Sequence, residues 1–208
     1  MRSTVVLAIE DDKDFLKSIL SVVDNSSKPT NISMVSNSNI SEKSLQTIDV
    51  FFNSCCDKSI TNTENTKEYT IKTINHKDIN YTYIKLNNTG LDAKGLKTFA
   101  VKYMHSKTDV FFTLSSGSVY LSNFIETMID KFKDNLTGVA YSDYIANGRY
   151  KYLSTIHPMV NFTIPIEEMA FSKNVVDKES FNCDSLEIIR KAFEKSIIRY
   201  IPEALFVT

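Results

Sequence analysis

The stretch that decides the fold is an apolar run that ends in small hydroxyl residues: Asp109-Val110-Phe111-Phe112-Thr113-Leu114, then Ser115-Ser116-Gly117-Ser118. Amphipathic segments flank the run at 95–105 and 120–132, and both patterns predict helices. This order indicates a buried strand whose C-terminal end opens into a loop. Ligands of open α/β sheets bind at such ends. The loop carries no carboxylate, which bears on any function assigned to it.

Composition indicates a soluble globular protein of 208 residues, with 42% hydrophobic and 24% charged residues and a net charge of -1. Because Lys and Arg are dispersed, neither nucleic acid nor a membrane is a predicted partner. We find no signal peptide and no apolar segment of membrane-spanning length. Cys55, Cys56 and Cys183 form no CxxC pattern and indicate free thiols, so the predicted location is cytoplasmic.

Other catalytic signatures are missing from the sequence. His76, His105 and His157 have no metal-ligand spacing, and we predict no metal site. The chain has no P-loop and no GxGxxG, and no GxSxG elbow surrounds Ser116. We therefore predict no bound cofactor from motifs alone.

Strands and helices alternate along the chain. Apolar or alternating runs at 5–9, 32–35, 81–86 and 139–144 predict further strands, and helical periodicity covers 15–23 and 185–195. Between 40 and 78 the signal is weak: it suggests a helix at 45–52, a surface loop at 57–67 and an exposed or edge strand at 69–74. Asn147-Gly148 predicts a hairpin turn into 150–156. This pattern predicts an α/β fold with a mostly parallel sheet flanked by helices and a small β-rich section around 141–171.

Several local strings, in order, resemble family 2 glycosyltransferases of the GT-A fold. They are Gly90-Leu91-Asp92-Ala93, Phe111-Phe112-Thr113-Leu114 with Val119-Tyr120-Leu121, Asp184-Ser185-Leu186-Glu187-Ile188-Ile189-Arg190, and Tyr200-Ile201-Pro202-Glu203-Ala204-Leu205. The resemblance covers nearly the whole chain and implies a single GT-A-like, Rossmann-like domain. It implies a nucleotide-sugar-binding half at 1–135 and an acceptor half at 136–208.

The chain departs from that family where chemistry would occur. Ser36 and Asn37 replace the family's paired aspartates, Gly95 and Leu96 replace an Arg-Asn pair, and Ser115-Ser116-Gly117 replaces the metal-binding Asp-x-Asp loop. Serine hydroxyls bind Mg²⁺ or Mn²⁺ poorly, and no basic residue in the loop substitutes for the metal. By the resemblance, the donor-binding positions are Asp11, Asn37, Ser115 and Gly117, in a degenerate form.

Asp184 corresponds to the family's general base on the acceptor hydroxyl, although Cys183 replaces the acidic residue before it. As a residue at a helix start, Asp184 is equally explained as an N-cap ahead of Leu186, which is the simpler interpretation. Five aromatic side chains also have two interpretations: they could stack on a sugar, or they could pack in the core or at a subunit interface. Packing is favoured, because aromatic residues in strands are more often found there. They are Tyr141, Tyr144, Tyr150, Tyr152 and Phe162.

Two functions follow from the resemblance and its departures. The first is a non-catalytic domain that acts as a structural or interaction subunit of a larger assembly, with protein subunits as partners. A composition rich in Asn, Lys, Ser and Ile is typical of an AT-rich genome and suggests a tailed-phage virion assembled in the cytoplasm. The alternative is an active, metal-independent glycosyltransferase that uses Asp184 as base and amides near Gly117 for the phosphates. Its substrate would be a UDP-sugar or GDP-sugar, which the family binds with Mn²⁺ or Mg²⁺.

Overall fold

A computed structural model describes residues 1–11, 14–54, 62–87, 90–151, 168–176, 181 and 185–208. The strands are β1 (Ser3–Ala8), β2 (Asn31–Ser36), β3 (Asn62–Asn65), β4 (Tyr69–His76), β5 (Ile79–Leu86), β6 (Val110–Ser115), β7 (Val119–Tyr120), β8 (Thr137–Ala146), β9 (Arg149–Lys151), β10 (Ala170–Ser172) and β11 (Ile197–Val207). The helices are α1 (Phe15–Val23), α2 (Glu42–Ser54), α3 (Ala93–Met104), α4 (Phe124–Asp130) and α5 (Ser185–Lys195). Within these ranges, no helix has the length and apolar character needed to cross a bilayer.

The eleven strands form one sheet in the order β3-β4-β5-β2-β1-β6-β10-β8-β11-β7, with β9 paired to β8. Strands β5, β2, β1 and β6 are parallel, as are β8 and β11. The short β10 is antiparallel to both β6 and β8, so β8 runs in the same direction as β6. The predicted α/β architecture with a mostly parallel central sheet is confirmed, and antiparallel strands extend it at both ends.

Helices cover both faces of the sheet, which explains why its central strands read as continuous apolar runs. All six residues of β1 and all six of β6 are buried. Phe112 faces a core built with α1, α2 and α4, whereas Phe111 faces a second core built with α3 and α5. Side chains alternate between the faces along a strand, so each strand contributes to both cores.

Two predictions for individual segments were wrong. Part of the predicted loop at 57–67 is the edge strand β3, which pairs antiparallel with β4. Its four residues are polar and exposed, so no apolar alternation marked them as a strand. The helix predicted at 120–132 begins only at Phe124. Tyr120 instead pairs with Phe206 of β11, stacks on the Phe124 ring at 3.8 Å and donates its hydroxyl to the Thr113 carbonyl at 2.6 Å. These long-range contacts outweigh the local helical periodicity.

The hairpin turn at Asn147-Gly148 is confirmed. Both residues have positive φ, at 50° and 68°, and they join β8 to β9. Asn and Gly tolerate this left-handed conformation, which matches the twist of the flanking strands. Strand β9 is described to Lys151, and the rest of the predicted second arm lies outside the described residues.

Candidate functional site at the carboxyl edge of the sheet

The carboxyl ends of β1, β2, β5 and β6 lie at one edge, which we call the carboxyl edge. From β1 the chain proceeds outward to β2 and β5, and then returns across β1 to form β6 on its other side. This reversal creates a crevice between the ends of β1 and β6, where ligands of open α/β sheets bind. Ser115, the last residue of β6, and the loop Ser116-Gly117-Ser118 that follows it lie at this crevice, as predicted from the sequence pattern.

Hydrogen bonds fasten the loop to β1 and α1. The Ser116 hydroxyl donates to the Ala8 carbonyl at 2.7 Å. The Ser18 hydroxyl on α1 donates to the Ser115 carbonyl at 3.3 Å and accepts from the Gly117 amide at 2.9 Å. Gly117 adopts φ 91°, a left-handed conformation that glycine takes without strain. The Gly117 amide, which was predicted to donate a hydrogen bond to a bound phosphate, thus donates to Ser18 of the chain instead.

Asn37 and Asp11, the other two predicted donor-binding residues, also have internal partners. The Asn37 side chain donates to the Leu91 carbonyl at 2.6 Å and accepts from the Leu91 amide at 3.0 Å. The Asp11 carboxylate accepts from the Ser41 amide at 2.9 and 3.0 Å. Burial opposes its ionisation, but hydrogen bonds from Ser44 and Ser41 outweigh that cost and lower the pKa of Asp11. Both side chains therefore connect loops at the carboxyl edge.

Ser36 is buried at the end of β2. Its hydroxyl shares a hydrogen bond of 2.8 Å with the hydroxyl of Tyr83 on β5. Burial raises the pKa of Tyr83 to about 12, so this phenol is neutral near pH 7. A neutral pair thus occupies the position where the resemblance implies a carboxylate.

Lys97 reaches the loop from α3, although sequence reasoning did not single it out. Its side chain is 5% exposed, and the ammonium donates to the Ser115 hydroxyl at 3.1 Å. The loop itself contains no basic residue, and the fold supplies one from a neighbouring element. A signal was present: Lys97 lies on the buried stripe of α3 together with Ala100, Val101 and Met104. A charged residue within an apolar helical stripe is uncommon and marks a specific contact.

Glu168 approaches the same serine from another direction, and it was also missed. Its carboxylate accepts from the Ser115 amide at 3.3 Å, and the residue is 2% exposed. The Thr113 amide donates to the Met169 carbonyl at 3.0 Å, and because amides alternate along a strand the Ser115 amide points to the same side, where Glu168 lies beside β6. The Ser115 side chain meets Lys97 of α3. Nothing in the sequence near Glu168 marks it, because its proximity to β6 depends on a pairing across more than fifty residues.

The divalent metal that the resemblance implies does not fit these residues. Mg²⁺ and Mn²⁺ need several oxygen ligands, mostly carboxylates. In the described part of the chain, no group of three or more His, Cys, Asp or Glu side chains converges. The Lys97 ammonium at Ser115 would also repel a divalent cation bound there.

The segment 136–208 also contains the buried carboxylate of Asp143, on β8. It accepts from the Tyr150 hydroxyl at 3.1 Å and the Tyr200 hydroxyl at 2.7 Å, and burial together with this carboxylate raises the pKa of Tyr200. Tyr141 packs on Tyr200, and Tyr144 stacks on Phe206 with ring centroids 5.3 Å apart. These contacts agree with the packing role predicted for aromatic residues of this segment.

Three of the predicted site residues lie outside the described residues. They are Asp184, Tyr152 and Phe162. Helix α5 begins at Ser185, as predicted. The choice between a general base and an N-cap at Asp184 therefore stays a prediction.

No family profile and no curated protein sequence matches the chain. Solved structures do match over its whole length. For S. aureus TarS residues 1–349 in complex with UDP, the TM-score is 0.69 at 11% identity. For PcManGT, a mannosyltransferase from Pyrobaculum calidifontis in complex with GDP-Man and Mn²⁺, it is 0.63 at 9% identity. The fold is GT-A-like.

The GT-A-like chain spans only part of these neighbours. It covers 60% of the TarS 1–349 chain with UDP, 58% of that chain with UDP-GlcNAc and 56% of PcManGT. At identities near 10% the likeness establishes the fold alone. Function must therefore be argued from the carboxyl edge itself.

Proposed function

We propose that this chain is a glycosyltransferase-like domain without transferase activity, which serves as a structural or interaction subunit. One observation supports this most: the polar groups at its carboxyl edge bond to one another. Asn37 bonds to Leu91, Ser116 to Ala8 and the Gly117 amide to Ser18. The groups that would have to bind a nucleotide-sugar donor instead form hydrogen bonds with other residues of the edge.

The chemistry of sugar transfer supports the same proposal. A departing nucleoside diphosphate must be neutralised, in most such enzymes by a divalent cation held by carboxylate oxygens. Ser115, Ser116 and Gly117 offer neutral groups at the corresponding positions. An intact scaffold with such a site fits reuse of the fold for another purpose.

An apolar groove supports the interaction role. It has a volume of about 600 Å³ and lies between α1 and α2, away from the carboxyl edge. Leu20 and Val50 line it with 47% and 67% of their surface exposed. Neighbouring exposed apolar side chains are typical of protein contact surfaces. A virion is one assembly that would provide such contacts.

Nucleotide release tests the proposal. The full chain is incubated with UDP-GlcNAc or GDP-Man, with Mn²⁺ or with EDTA, and free UDP or GDP is measured. We expect release no faster than with heat-denatured protein, because the described residues of the edge hold no carboxylate cluster for a divalent metal and their polar groups bond to one another. PcManGT with GDP-Man and Mn²⁺ is the positive control. Release above background that persists in EDTA would overturn the proposal in favour of a metal-independent glycosyltransferase.

Manganese binding is a separate prediction. Electron paramagnetic resonance of Mn²⁺ titrated with the full chain should show only the free-ion spectrum at micromolar concentrations, because neutral hydroxyls replace the carboxylate ligands. Ser115→Asp with Lys97→Met restores one carboxylate and removes the competing cation. We expect this pair to bind Mn²⁺ more tightly than wild type. Tight binding by the wild-type chain would contradict the description of the loop.

A further inference from the structure

We infer that the groove between α1 and α2 binds a small amphiphile with an apolar body and an anionic head, of the alkyl carboxylate class. The inference goes beyond the proposed function, because the groove lies away from the carboxyl edge and involves no sugar-nucleotide chemistry. It rests on the apolar walls of the groove, on its volume and on the position of its charged residues. The rim residues Leu20 and Val50 remain able to contact a partner protein when a ligand lies between them.

The walls and the floor of the groove are apolar. Leu20 lines it from α1 and Val50 from α2. Ile79 and Tyr81 of β5 lie beneath the two helices, and the Phe51 ring meets the Tyr81 ring edge-on, with centroids 5.5 Å apart. A volume of about 600 Å³ lies within the range of small-molecule sites, roughly 300–1,000 Å³. Such walls bind a ligand mainly through its apolar part.

The cationic residues of the groove lie together at one end. Lys28 follows the C-terminus of α1, and Lys77 lies in the turn between β4 and β5. The Asn80 amide donates to the Thr30 carbonyl at 3.0 Å, so these two segments run side by side at the amino end of the parallel strands. Towards the opposite end, near the start of α1, the described lining residues carry no charge. A ligand with one charged end fits this layout, whereas a helix with charges along both flanks does not.

The charge at that end favours an anion. Lys28 and Lys77 provide two positive charges, and Asp24 is the one carboxylate among the described lining residues. The Lys28 ammonium donates to the Val23 and Asn25 carbonyls, and it thereby offsets the partial negative charge at the end of α1. Exposed ion pairs are weak, so the apolar contact provides most of the affinity and the head group determines the orientation of the ligand.

The length of the groove limits the length of the ligand. Leu16 and Val23 mark its extent along α1, which is about 10 Å along the helix axis. A medium-length alkyl chain extends over such a distance. Each methylene group that the groove covers should tighten binding by roughly two- to fourfold, and a chain that outgrows the groove should gain nothing further.

Calorimetry of the full chain with sodium octanoate, below the concentration at which octanoate forms micelles, tests the inference. We expect one saturable site, weaker binding of hexanoate, and weaker binding of octylamine, whose head group is cationic. Val50→Glu places a carboxylate at an exposed position of the groove and should weaken octanoate binding by roughly fivefold or more. Gln46→Glu makes the same charge change at an exposed position of α2 outside the groove and should bind octanoate like wild type.

A second variant tests the role of the charged end. Lys77→Gln should weaken octanoate binding by roughly two- to fivefold and leave the binding of neutral octanol unchanged. Lys43→Gln, at an exposed lysine of α2 outside the groove, is its charge-matched control. If Val50→Glu does not fold, Lys77→Gln decides the matter, and an octanoate affinity equal to that of wild type counts against the inference.

Three other results would overturn the inference. They are the absence of saturable octanoate binding, equal binding of octanoate and octylamine, and unchanged octanoate binding by folded Val50→Glu. Binding to vesicles of phosphatidylglycerol and phosphatidylcholine without binding of free octanoate would also overturn it and would identify a membrane surface as the partner. Failure to bind octanoate would leave the proposed function intact, whereas nucleotide release would overturn the proposed function and leave this site intact.

Discussion

Asn37 illustrates how one side chain organises the carboxyl edge. Its amide donates to and accepts from the backbone of Leu91, and it thereby joins the loop after β2 to the segment before α3. The sequence placed Asn37 at the end of a strand, but its partner lies 54 residues away and could not be identified. For the same reason Lys97 was missed, since its contact with Ser115 depends on how α3 packs on β6. Local pattern locates such residues and does not identify their partners.

Replacement of Asn37 by Asp should destabilise the fold. The carboxylate cannot donate to the Leu91 carbonyl oxygen, and its negative charge would lie beside the partial negative charge of that oxygen. We expect a loss of about 1–2 kcal/mol in the free energy of unfolding. In a chain of this size that corresponds to a melting temperature lower by roughly 2–8 °C, measured by circular dichroism. Asn39→Asp, which makes the same charge change at an exposed position, is the control. Equal melting temperatures for the two variants would contradict the structural role of Asn37.

At the scale of elements, β8 and the end of α5 approach each other closely at Gly138. A Cβ atom added to Gly138 would lie 1.8 Å from the Ser196 hydroxyl oxygen and 2.7 Å from its Cβ. The sequence predicted α5 over 185–195 and a strand at 139–144, because both patterns are strongly periodic. It did not predict this contact, since the packing distance between two elements depends on tertiary structure. Glycine is therefore required at position 138 by the close approach of Ser196 and not by its own backbone conformation.

A double-mutant cycle tests the contact. Gly138→Ala should lower the free energy of unfolding by about 1–3 kcal/mol, because the added methyl group forces Ser196 to move. Ser196→Gly opens the space and should recover part of that loss in the double variant, although it also removes the bond from Ser196 to the Ala192 carbonyl. Urea unfolding of the four proteins gives the coupling energy. Strictly additive effects would show that the two residues do not interact.

At the scale of the molecule, one sheet and its two cores connect both predicted halves of the chain. Phe206 near the C-terminus pairs with Tyr120 and packs on Phe124, and β10 lies between β6 and β8. The alternation of strands and helices predicted the central parallel sheet correctly. It did not predict β10 or β7, because strands of two or three residues have no periodicity to detect.

The two halves, 1–135 and 136–208, should therefore fail to fold separately. Removal of 136–208 would expose β6 along one side and leave Phe112 and Phe124 without Phe206. We expect the fragment 1–135 to lack the near-ultraviolet circular dichroism of the whole chain. The whole chain should unfold in one step, with superimposable curves from far-ultraviolet dichroism and tyrosine fluorescence. A cooperative transition in the isolated fragment would show that the halves are independent.

The ends of the sheet have a consequence for how this protein can associate. At one end, β3 is a polar strand whose four residues are all exposed. At the other, β11 carries Arg199, Pro202 and several register shifts, and in the described part of the chain β7 joins it only at Phe206 and Val207. Short, charged or irregular edges are poor templates for strand addition and fibril growth. A protein that binds this domain should therefore do so on a helical face. At high concentration, copies of the domain should not associate edge to edge into fibrils.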